Sequence, residues 1–507
     1  MPLPARIFDL HTHLFNARYL PLASVIAHAM GRDESRLARE VARLLQSLTG
    51  SAYASTPMEA VLSKSSMEAL PEECLEHIWR IAENELLLST GSLAAMDLGP
   101  APLLDQTLDA SVFDRLRASQ LMDILDSLDR VDYAAEGWLG QPPPESVILA
   151  AQPLEAGGRF ASFLGWARQV LKKALWVVTR LMDPKAWGAA TNYLDFFLML
   201  LHSEEQLLHK LWAGYGPGLP PLQSAHYLLD MQMAYPGNEL PYYPLRPVQE
   251  DRMQSLQRAY PARVFGFSAF DPRRADWHER AQGALAKGVI GFKFYPGMGF
   301  KPVDNDPPIQ ARVDAFFDFC VERDLPVFAH CTPVGFQTRF KQGAYAHPRY
   351  WRAVLLQPRW HELRLCLGHA GGGRMDNGPL HSPGWMAQSD AQWQEEDNFA
   401  RIVAELCATY PQVYCEVGYM TELVEPAHLA VFEANLQRAR QSARAAGRPF
   451  ELLDKMAYGS DWHMPDVVAR TRRYLEVFLE LMNRPDYAAH REAFFWQNAY
   501  RFLRLPL

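Results

Sequence analysis

Short apolar runs alternate with helical patterns through the second half of the chain. The runs follow Pro221 and lie at residues 225–233, 263–270, 289–295, 326–331, 363–369, 412–418 and 455–461. Between them, apolar residues recur every three or four positions, which predicts amphipathic helices. Nearly continuous apolar strands separated by helices are typical of a parallel sheet that helices cover on both faces.

A further apolar run stands near the N-terminus, at Arg6–Phe15 (RIFDLHTHLF). Counted with the later runs, it gives eight strands, each followed by helical sequence. Eight βα units predict an α/β protein with a closed (β/α)8 TIM barrel. We expect residues 1–15 and 222–507 to form this barrel, with a last helix at 484–503.

The segment 16–221 has a different character, because its patterns are helical and Pro- and Gly-rich breaks separate them. It predicts a large helical insertion between strands 1 and 2. Its most apolar block, 160–211, contains charged residues at short intervals, so we expect no transmembrane segment. The block is expected to pack on the barrel and to offer a surface for homo-oligomerisation. A helix pair that binds a membrane surface or another partner is the alternative.

Composition narrows the class of protein. Hydrophobic residues make up 49% and charged residues 21% of the chain, which is typical of a folded globular protein. The net charge of -8 argues against nucleic-acid binding. The N-terminus has no long apolar region of the kind found in signal peptides. The six cysteines form no CxxC pair, which favours a reducing, cytoplasmic setting.

Polar residues with metal-binding chemistry stand at the ends of the predicted strands. Residues i and i+2 of a strand share one face, so His11 and His13 are expected to point the same way. The carboxyl ends of all barrel strands meet at one mouth. Each of these groups has an ordinary structural explanation when taken singly. Together they predict a site for a divalent metal, with zinc favoured by the imidazoles: His11, His13, Lys293, His330, His369 and Asp461.

Several motifs in this order resemble the amidohydrolase superfamily of metal-dependent TIM-barrel hydrolases, in particular its amidohydrolase-2 branch. The similar segments cover strand 1 and most of residues 225–470, whereas 16–221 resembles nothing that we can name. The motifs are FDLHTH, FSAFDPRR (267–274), GVIGFKFYPGMGFKP (288–302), PVFAHCTPVG (326–335), AHPRYW (346–351), LRLCLGHAGGG (363–373) and YGSDWHMP (458–465).

This resemblance implies that His11, His13, His330 and Asp461 surround a metal. It also implies that Asp461 takes a proton from the water that the metal activates. His369 would bind a second metal or act as an acid and base. Lys293 falls where two-metal members carry a carboxylated lysine, so one ion and two ions both stay open.

Residues just past the strand ends are candidates for contacts with a small-molecule substrate. These are Tyr295, Arg339, Arg374 and Trp462. Packing within loops, or a charge on the surface, is the alternative explanation for each. Asp230, Glu416 and His463 are expected to orient the metal ligands.

The sequence therefore predicts a hydrolase that uses metal-activated water on a C–O or C–N bond of an ester, lactone or amide. A metal-dependent non-oxidative decarboxylase is the first alternative. A metal-binding scaffold, whose helical insertion recruits a partner, is the second. The substrate itself is not predicted.

Overall fold

A computed structural model describes residues 2–29, 199–200, 202–338, 340–373, 382–468 and 470–507, together with scattered positions between 30 and 49. Most of the predicted helical insertion, including residues 160–198 of its apolar block, lies outside this part of the chain. The contacts divide the chain into two compact units. The first comprises Met1–Leu14, Leu208–Ala234 and Tyr243–Leu507, and the second comprises Phe15–Leu207 and Tyr235–Tyr242. The predicted domain boundaries at residues 15 and 221 stay a prediction.

The first unit contains eight parallel strands, and each pairs with the next along the chain. The last strand returns to the first, where Leu10 N–H donates to Tyr458 O at 3.0 Å and Asp461 N–H donates to His11 O at 2.7 Å. The predicted eight-stranded barrel is therefore confirmed. The strands are β1 (Ile7–Thr12), β2 (Leu222–Tyr227), β3 (Val264–Phe270), β4 (Gly291–Phe294), β5 (Val327–Ala329), β6 (Leu365–Leu367), β7 (Val413–Glu416) and β8 (Met456–Ala457).

Helices follow the strands in the order that a TIM barrel requires. Among the described residues, their bounds are α1 (Leu22–Ala29), α2 (Glu204–Tyr215), α3 (Glu250–Ala259), α4 (Trp277–Ala286), α5 (Pro307–Glu322), α6 (Pro348–Leu355), α7 (Asp390–Trp393), α8 (Phe399–Thr409), α9 (Pro426–Ala445), α10 (Pro465–Val468), α11 (Thr471–Met482) and α12 (Asn498–Leu503). None of the helices within these bounds combines the length and the apolar character that a membrane crossing needs.

The strands are buried on both faces, as their apolar sequences predict. Strand β2 is shorter than expected, because it ends at Tyr227 rather than at residue 233. The residues after it stay buried, among them Leu228 and Met231. Apolar periodicity reports this burial but cannot tell a buried loop from a strand.

Aromatic residues fill the end of the barrel opposite the mouth. Phe502 of α12 stacks on Phe267 with ring centroids 6.4 Å apart and lies 5.9 Å from the ring of Tyr414. The predicted last helix thus inserts its C-terminal part beneath the sheet. Higher in the barrel, Tyr227 and Phe328 form a second layer with centroids 4.3 Å apart. This layer is the floor on which the polar residues of the mouth rest.

The pairing of β1 with β2 is irregular beside the mouth. Asp9 lies opposite Ser224, whereas Thr12 lies opposite His226, so β1 has one residue more than β2 in this interval. An extra residue of this kind bends a strand and re-aims its side chains. The irregularity is adjacent to His11, the first of the predicted ligands.

Candidate metal centre

The structure brings all the predicted metal-binding residues to the carboxyl ends of the strands. They lie on β1 and β4 or in the segments that follow β1, β5, β6 and β8, and each is at most 6% exposed: His11, His13, Lys293, His330, His369 and Asp461. Two groups among the described residues have possible ligand atoms within 4.8 Å of one another. They are His11–His13–Asp461 and His11–His369–Glu416. His11 belongs to both, so the residues form one connected cluster.

His11 contacts a carboxylate that lies two strands away around the barrel. Its Nδ1 lies 2.9 Å from Oε1 of Glu416, the last residue of β7. The same carboxylate accepts the backbone N–H groups of His369 and Gly418, so donors surround it. Nζ of Lys293 lies 3.1 Å from Nε2 of His11 and donates to it, so Nε2 keeps its lone pair and Nδ1 is the protonated nitrogen. Glu416 thus contacts a predicted ligand, and its role in orienting that ligand stays a prediction.

His13 shows the same arrangement with a backbone partner. Its Nδ1 lies 2.8 Å from Tyr227 O, and a carbonyl oxygen can only accept, so Nδ1 donates. Nε2 of His13 is 3.3 Å from Oδ1 of Asp461, and Nε2 of His11 is 3.2 Å from the same oxygen. Asp461 thus faces the unprotonated nitrogens of both histidines of strand β1.

His330 and His369 face each other across the mouth. His330 donates from Nε2 to Val334 O at 2.8 Å, and His369 donates from Nδ1 to Gly418 O at 2.9 Å. The remaining nitrogens, Nδ1 of His330 and Nε2 of His369, are 3.1 Å apart. Each ring uses its N–H to donate to a carbonyl oxygen. The other nitrogen of each ring therefore carries a lone pair, and these two lone pairs point at one another. A cation bound to either of these nitrogens would relieve the repulsion.

Burial keeps the imidazoles of His11, His330 and His369 neutral. It lowers the pKa of His11 and of His330 well below the usual 6.5, and neighbouring positive charges lower both further. Burial also lowers the pKa of His369 to about 4, although the charge of Asp461 opposes this. A neutral imidazole is the form that binds a metal, so no proton has to be removed at neutral pH.

The donor set suits a divalent cation of the zinc type. Nε2 of His11 and of His13 lie beside the Asp461 carboxylate, and imidazole with carboxylate is the ligand chemistry that borderline metals select. Zinc–ligand bonds are about 2.0–2.2 Å long, so one ion can reach both Nε2 of His11 and Oδ1 of Asp461, which lie 3.2 Å apart. The residues present therefore fit the metal that the sequence predicts.

Lys293 lies inside the same cluster. Its Nζ is 3.1 Å from Nε2 of His11 and lies over the rings of Phe328, Tyr227 and Tyr295, at 4.2, 5.0 and 5.6 Å from their centroids. Burial lowers the pKa of Lys293 from 10.5 to about 8, against the opposing charge of Asp461. Lys293 thus lies close to the predicted ligands, and its lowered pKa makes the neutral amine easier to form than in water.

The charge of Glu416 depends on the same surroundings. Burial raises the pKa of Glu416 to about 8, whereas the amide of His369 lowers it and the charge of Asp461 raises it again. A cation held by His11 would favour the ionised form by direct attraction. Metal binding and ionisation of Glu416 are therefore coupled.

Sequence reasoning missed a second set of buried polar residues beneath the cluster. His226 contacts Thr12 Oγ1 through Nδ1 at 2.6 Å and Ser224 Oγ through Nε2 at 2.8 Å. Thr12 donates its own proton to Ala225 O, so His226 Nδ1 donates and Nε2 accepts. These contacts fill the irregular β1–β2 pairing. An isolated histidine in a predicted strand gave no signal for this role.

Asp9 was also missed, although it lies on the same face of β1 as His11. It is completely buried, and burial raises its pKa to about 6 despite bonds from Ser460 and Tyr215, which lower it. The spacing of two residues before His11 was the available signal. Its partners are distant in sequence and could not be read from the pattern.

The predicted substrate contacts differ in where they lie. Tyr295 is 7% exposed and places its ring 4.1 Å from that of His330. Trp462 is 1% exposed and pairs with Thr12 in the closing bridge. Arg339 and Arg374 lie outside the described residues. Substrate binding by these four residues stays a prediction.

Asp230 and His463 differ as well. Asp230 forms an ion pair with Arg274, whose Nη2 lies 2.7 Å from Oδ1 of Asp230. Nδ1 of His463 lies 3.4 Å from His13 O. Of these two described side chains, His463 contacts a predicted ligand, whereas Asp230 pairs with an arginine.

Known structures provide distant likenesses. A probable 2-pyrone-4,6-dicarboxylic acid hydrolase from Acinetobacter baumannii is 14% identical, with a TM-score of 0.35 over 59% of this chain and 88% of that one. A 2,6-dihydroxybenzoate decarboxylase from Rhizobium is 14% identical, with a TM-score of 0.36 over 60% and 90%. A manganese-bound 5-carboxyvanillate decarboxylase from Novosphingobium aromaticivorans is 14% identical, with a TM-score of 0.39 over 76% and 94%. Likenesses this distant do not define the chemistry of this chain.

The family assignment comes from the sequence of the barrel itself. No curated protein matches the chain. A family model described as amidohydrolase, of the second amidohydrolase group, matches residues 244–505. These residues are more than half of the chain and carry strands β3 to β8 with Lys293, His330, His369 and Asp461. The chain therefore belongs to this amidohydrolase family.

Proposed function

We propose that this protein is a metal-dependent hydrolase that cleaves a C–O or C–N bond of a small ester, lactone or amide. The observation that carries the proposal is that Oδ1 of Asp461 lies 3.2 Å from Nε2 of His11 and 3.3 Å from Nε2 of His13, at the mouth that also holds His330 and His369. When bound, a divalent cation lowers the pKa of water towards about 7 and polarises a carbonyl oxygen.

The roles of the residues follow from their positions. His11, His13 and His330 hold the cation together with Asp461, whose Oδ1 faces the two histidines of β1. Asp461 takes the proton from the attacking water and returns it to the leaving group. His369, 3.1 Å from His330, polarises the substrate and serves as an acid and base.

We propose one zinc ion rather than two. The imidazole-rich donor set favours zinc. A second ion would need a negative bridge from Lys293, whose Nζ lies among three aromatic rings. Those ring faces carry partial negative charge, which disfavours the negative charge of a carboxylated lysine.

Decarboxylation is the second candidate, and Lys293 is the observation that favours it. A buried ammonium beside the metal ligands would pair with a substrate carboxylate. Arg339 and Arg374, which are proposed substrate contacts, would serve the same purpose. In the hydrolase these groups bind an acidic substituent instead.

Other properties belong to the same proposal. We propose a cytoplasmic protein, because the cysteines within the described residues are free and buried: Cys320, Cys331, Cys366, Cys407 and Cys415. Homo-oligomerisation through the segment 16–221 is proposed from its apolar sequence alone.

The first test is metal content of the full-length protein, purified without added metal or chelator. Lys293→Ala is compared with wild type, and Lys455→Ala is the matched control. Lys455 is also buried over aromatic rings, with its Nζ 4.3 and 4.7 Å from the centroids of Phe450 and Tyr414, but near the start of β8. We expect about one zinc per chain in all three proteins, followed by hydrolysis of a member of an ester, lactone and amide panel.

Other outcomes decide between the candidates. Two ions in wild type that fall in Lys293→Ala alone would establish the carboxylated bridge and contradict the single-ion site. Release of CO2 from aromatic carboxylic acids, without hydrolysis of the panel, would replace the hydrolase with the decarboxylase. A chain that binds zinc but converts none of these compounds would leave the metal-binding scaffold as the explanation, whereas a chain that binds no metal would contradict all three candidates.

A further inference from the structure

Asp9 is a buried anion that only neutral donors surround. Its Oδ1 accepts the backbone N–H of Ser460 at 2.8 Å and that of His11 at 3.3 Å. Its Oδ2 accepts Ser460 Oγ–H at 2.6 Å and Tyr215 Oη–H at 2.5 Å. None of these four donors carries a positive charge. A buried carboxylate of this kind depends on every bond that it accepts, because a lost donor is not replaced by water.

These bonds join the two strand ends that carry the first ligand group. Asp9 precedes His11 by two residues on β1, and Ser460 immediately precedes Asp461 after β8. Asp461 N–H also donates to His11 O at 2.7 Å. The contact of Asp9 with Ser460 and this backbone bond therefore act together on the separation of the His11 imidazole from the Asp461 carboxylate.

Tyr215 comes from outside the residues that match the amidohydrolase family. It ends α2, whereas the family match begins at residue 244. It is 1% exposed, and its hydroxyl also lies 3.1 Å from that of Tyr458. Because Tyr215 donates to Asp9, Tyr458 donates to Tyr215. The chain thus brings an added hydroxyl to the carboxylate beneath the metal site.

We propose that Tyr215 is a positioning residue for the metal centre. Through Asp9 it holds Ser460 in place, and so fixes the separation of His11 from Asp461. The inference rests on the proposed metal site. If Tyr215 only filled space, its hydroxyl would not matter. Removal of the oxygen alone therefore distinguishes packing from positioning.

Tyr500 provides a matched control. It is 4% exposed, and its hydroxyl donates to Gln223 Oε1 at 2.9 Å and accepts from Arg6 Nη1 at 2.7 Å. It packs against Phe8 near the start of β1, away from the ligands. Tyr500→Phe therefore removes the same buried hydroxyl without touching Asp9.

The experiment measures zinc affinity of the metal-free, full-length wild type, Tyr215→Phe and Tyr500→Phe by competition with a chromophoric chelator. The visible spectrum of the cobalt-loaded proteins reports the ligand geometry. We expect Tyr215→Phe to bind zinc roughly 10-fold more weakly, as for other residues that orient ligands, and to show an altered cobalt spectrum. Tyr500→Phe is expected to keep the wild-type affinity and spectrum.

The outcomes separate this inference from the proposed function. A wild type that binds no zinc overturns the metal site itself. A wild type that binds zinc, with Tyr215→Phe equal to it, overturns the role of Tyr215 alone. Equal weakening in Tyr500→Phe would show a general loss of stability and overturns it too. If Tyr215→Phe does not fold, Ser460→Ala removes the other donor to Asp9 Oδ2, and unchanged zinc affinity then overturns the proposal.

Discussion

Nδ1 of His330 and Nε2 of His369 lie 3.1 Å apart, and neither carries a proton that could bridge them. Each ring donates its proton to a backbone carbonyl, of Val334 and Gly418 respectively. The fold thus fixes the tautomer of both rings through main-chain atoms. Side-chain substitutions cannot remove those acceptors, so the orientation of the two rings is built into the barrel.

Replacement of Asp461 by asparagine is expected to abolish turnover while the zinc is retained. Asparagine has the same shape but cannot accept a proton, and general-base catalysis contributes about 10²–10⁴-fold to a rate. His11, His13 and His330 remain to hold the ion. The measurement is metal content together with kcat on the substrate found in the panel.

Asp271→Asn is the control for this change. Asp271 follows β3, is 3% exposed and forms an ion pair with Arg273. We expect it to keep the wild-type kcat. Full activity of Asp461→Asn would exclude a proton-transfer role for Asp461.

Glu416→Gln is expected to weaken zinc binding roughly 10–100-fold, because it removes the carboxylate that orients His11. The amide also presents N–H groups towards amide donors, where Glu416 only accepts. Glu250→Gln is a suitable control, since Glu250 is 1% exposed but bonds to Ser268. Chelator competition measures both affinities. Equal affinity of Glu416→Gln and wild type would disprove the orienting role.

Gly335→Ala is expected to disturb the site through His330. A Cβ at this position would lie 2.9 Å from Cε1 of His330 and 2.9 Å from Tyr295 Oη, and its φ of +107° disfavours any side chain. We expect a loss of about 1–3 kcal/mol in stability and weaker zinc binding. Chemical denaturation and chelator competition measure these two effects.

Gly447→Ala separates backbone strain from crowding at the site. Gly447 also has a positive φ, of +59°, but nothing lies within 4 Å of a Cβ there. It is expected to lose some stability and no zinc affinity. Loss of zinc affinity in both variants would contradict a local effect on His330.

The metal-free protein is expected to lose stability as the pH falls below 6.5, partly through His226. Burial lowers the pKa of His226 to about 3 in the folded state, against 6.5 for the free side chain. Between these values the unfolded chain binds one proton more, so stability falls with decreasing pH by about 1.4 kcal/mol per pH unit. The loss is complete near pH 3.

Urea denaturation at pH 7 and pH 5 measures this slope. His226→Gln is expected to be less stable at pH 7 but to depend less on pH. His428→Gln, at an exposed histidine of α9, is expected to keep the wild-type slope. An unchanged slope in His226→Gln would show that His226 does not titrate as its burial implies.

Much of the barrel and of the ligand set follows from local sequence. The apolar runs at strand spacing predicted eight parallel strands, and the placement of His11, His330, His369 and Asp461 at their ends predicted one cluster. Such predictions succeed because all strands of a parallel barrel run in the same direction. Their carboxyl ends, and the side chains there, therefore meet at one mouth. Strand β2 was misjudged beyond Tyr227, since buried loops and strands share one apolar pattern.

Local patterns were therefore enough to predict the type of fold and the side chains at the mouth. They could not predict which nitrogen of each imidazole is free, the contact of Glu416 with His11 across 405 positions of sequence, or the contact of Tyr215 with Asp9. The physical reason is that a hydrogen bond depends on distance and direction in space. Residues far apart in the chain acquire both only when the barrel closes.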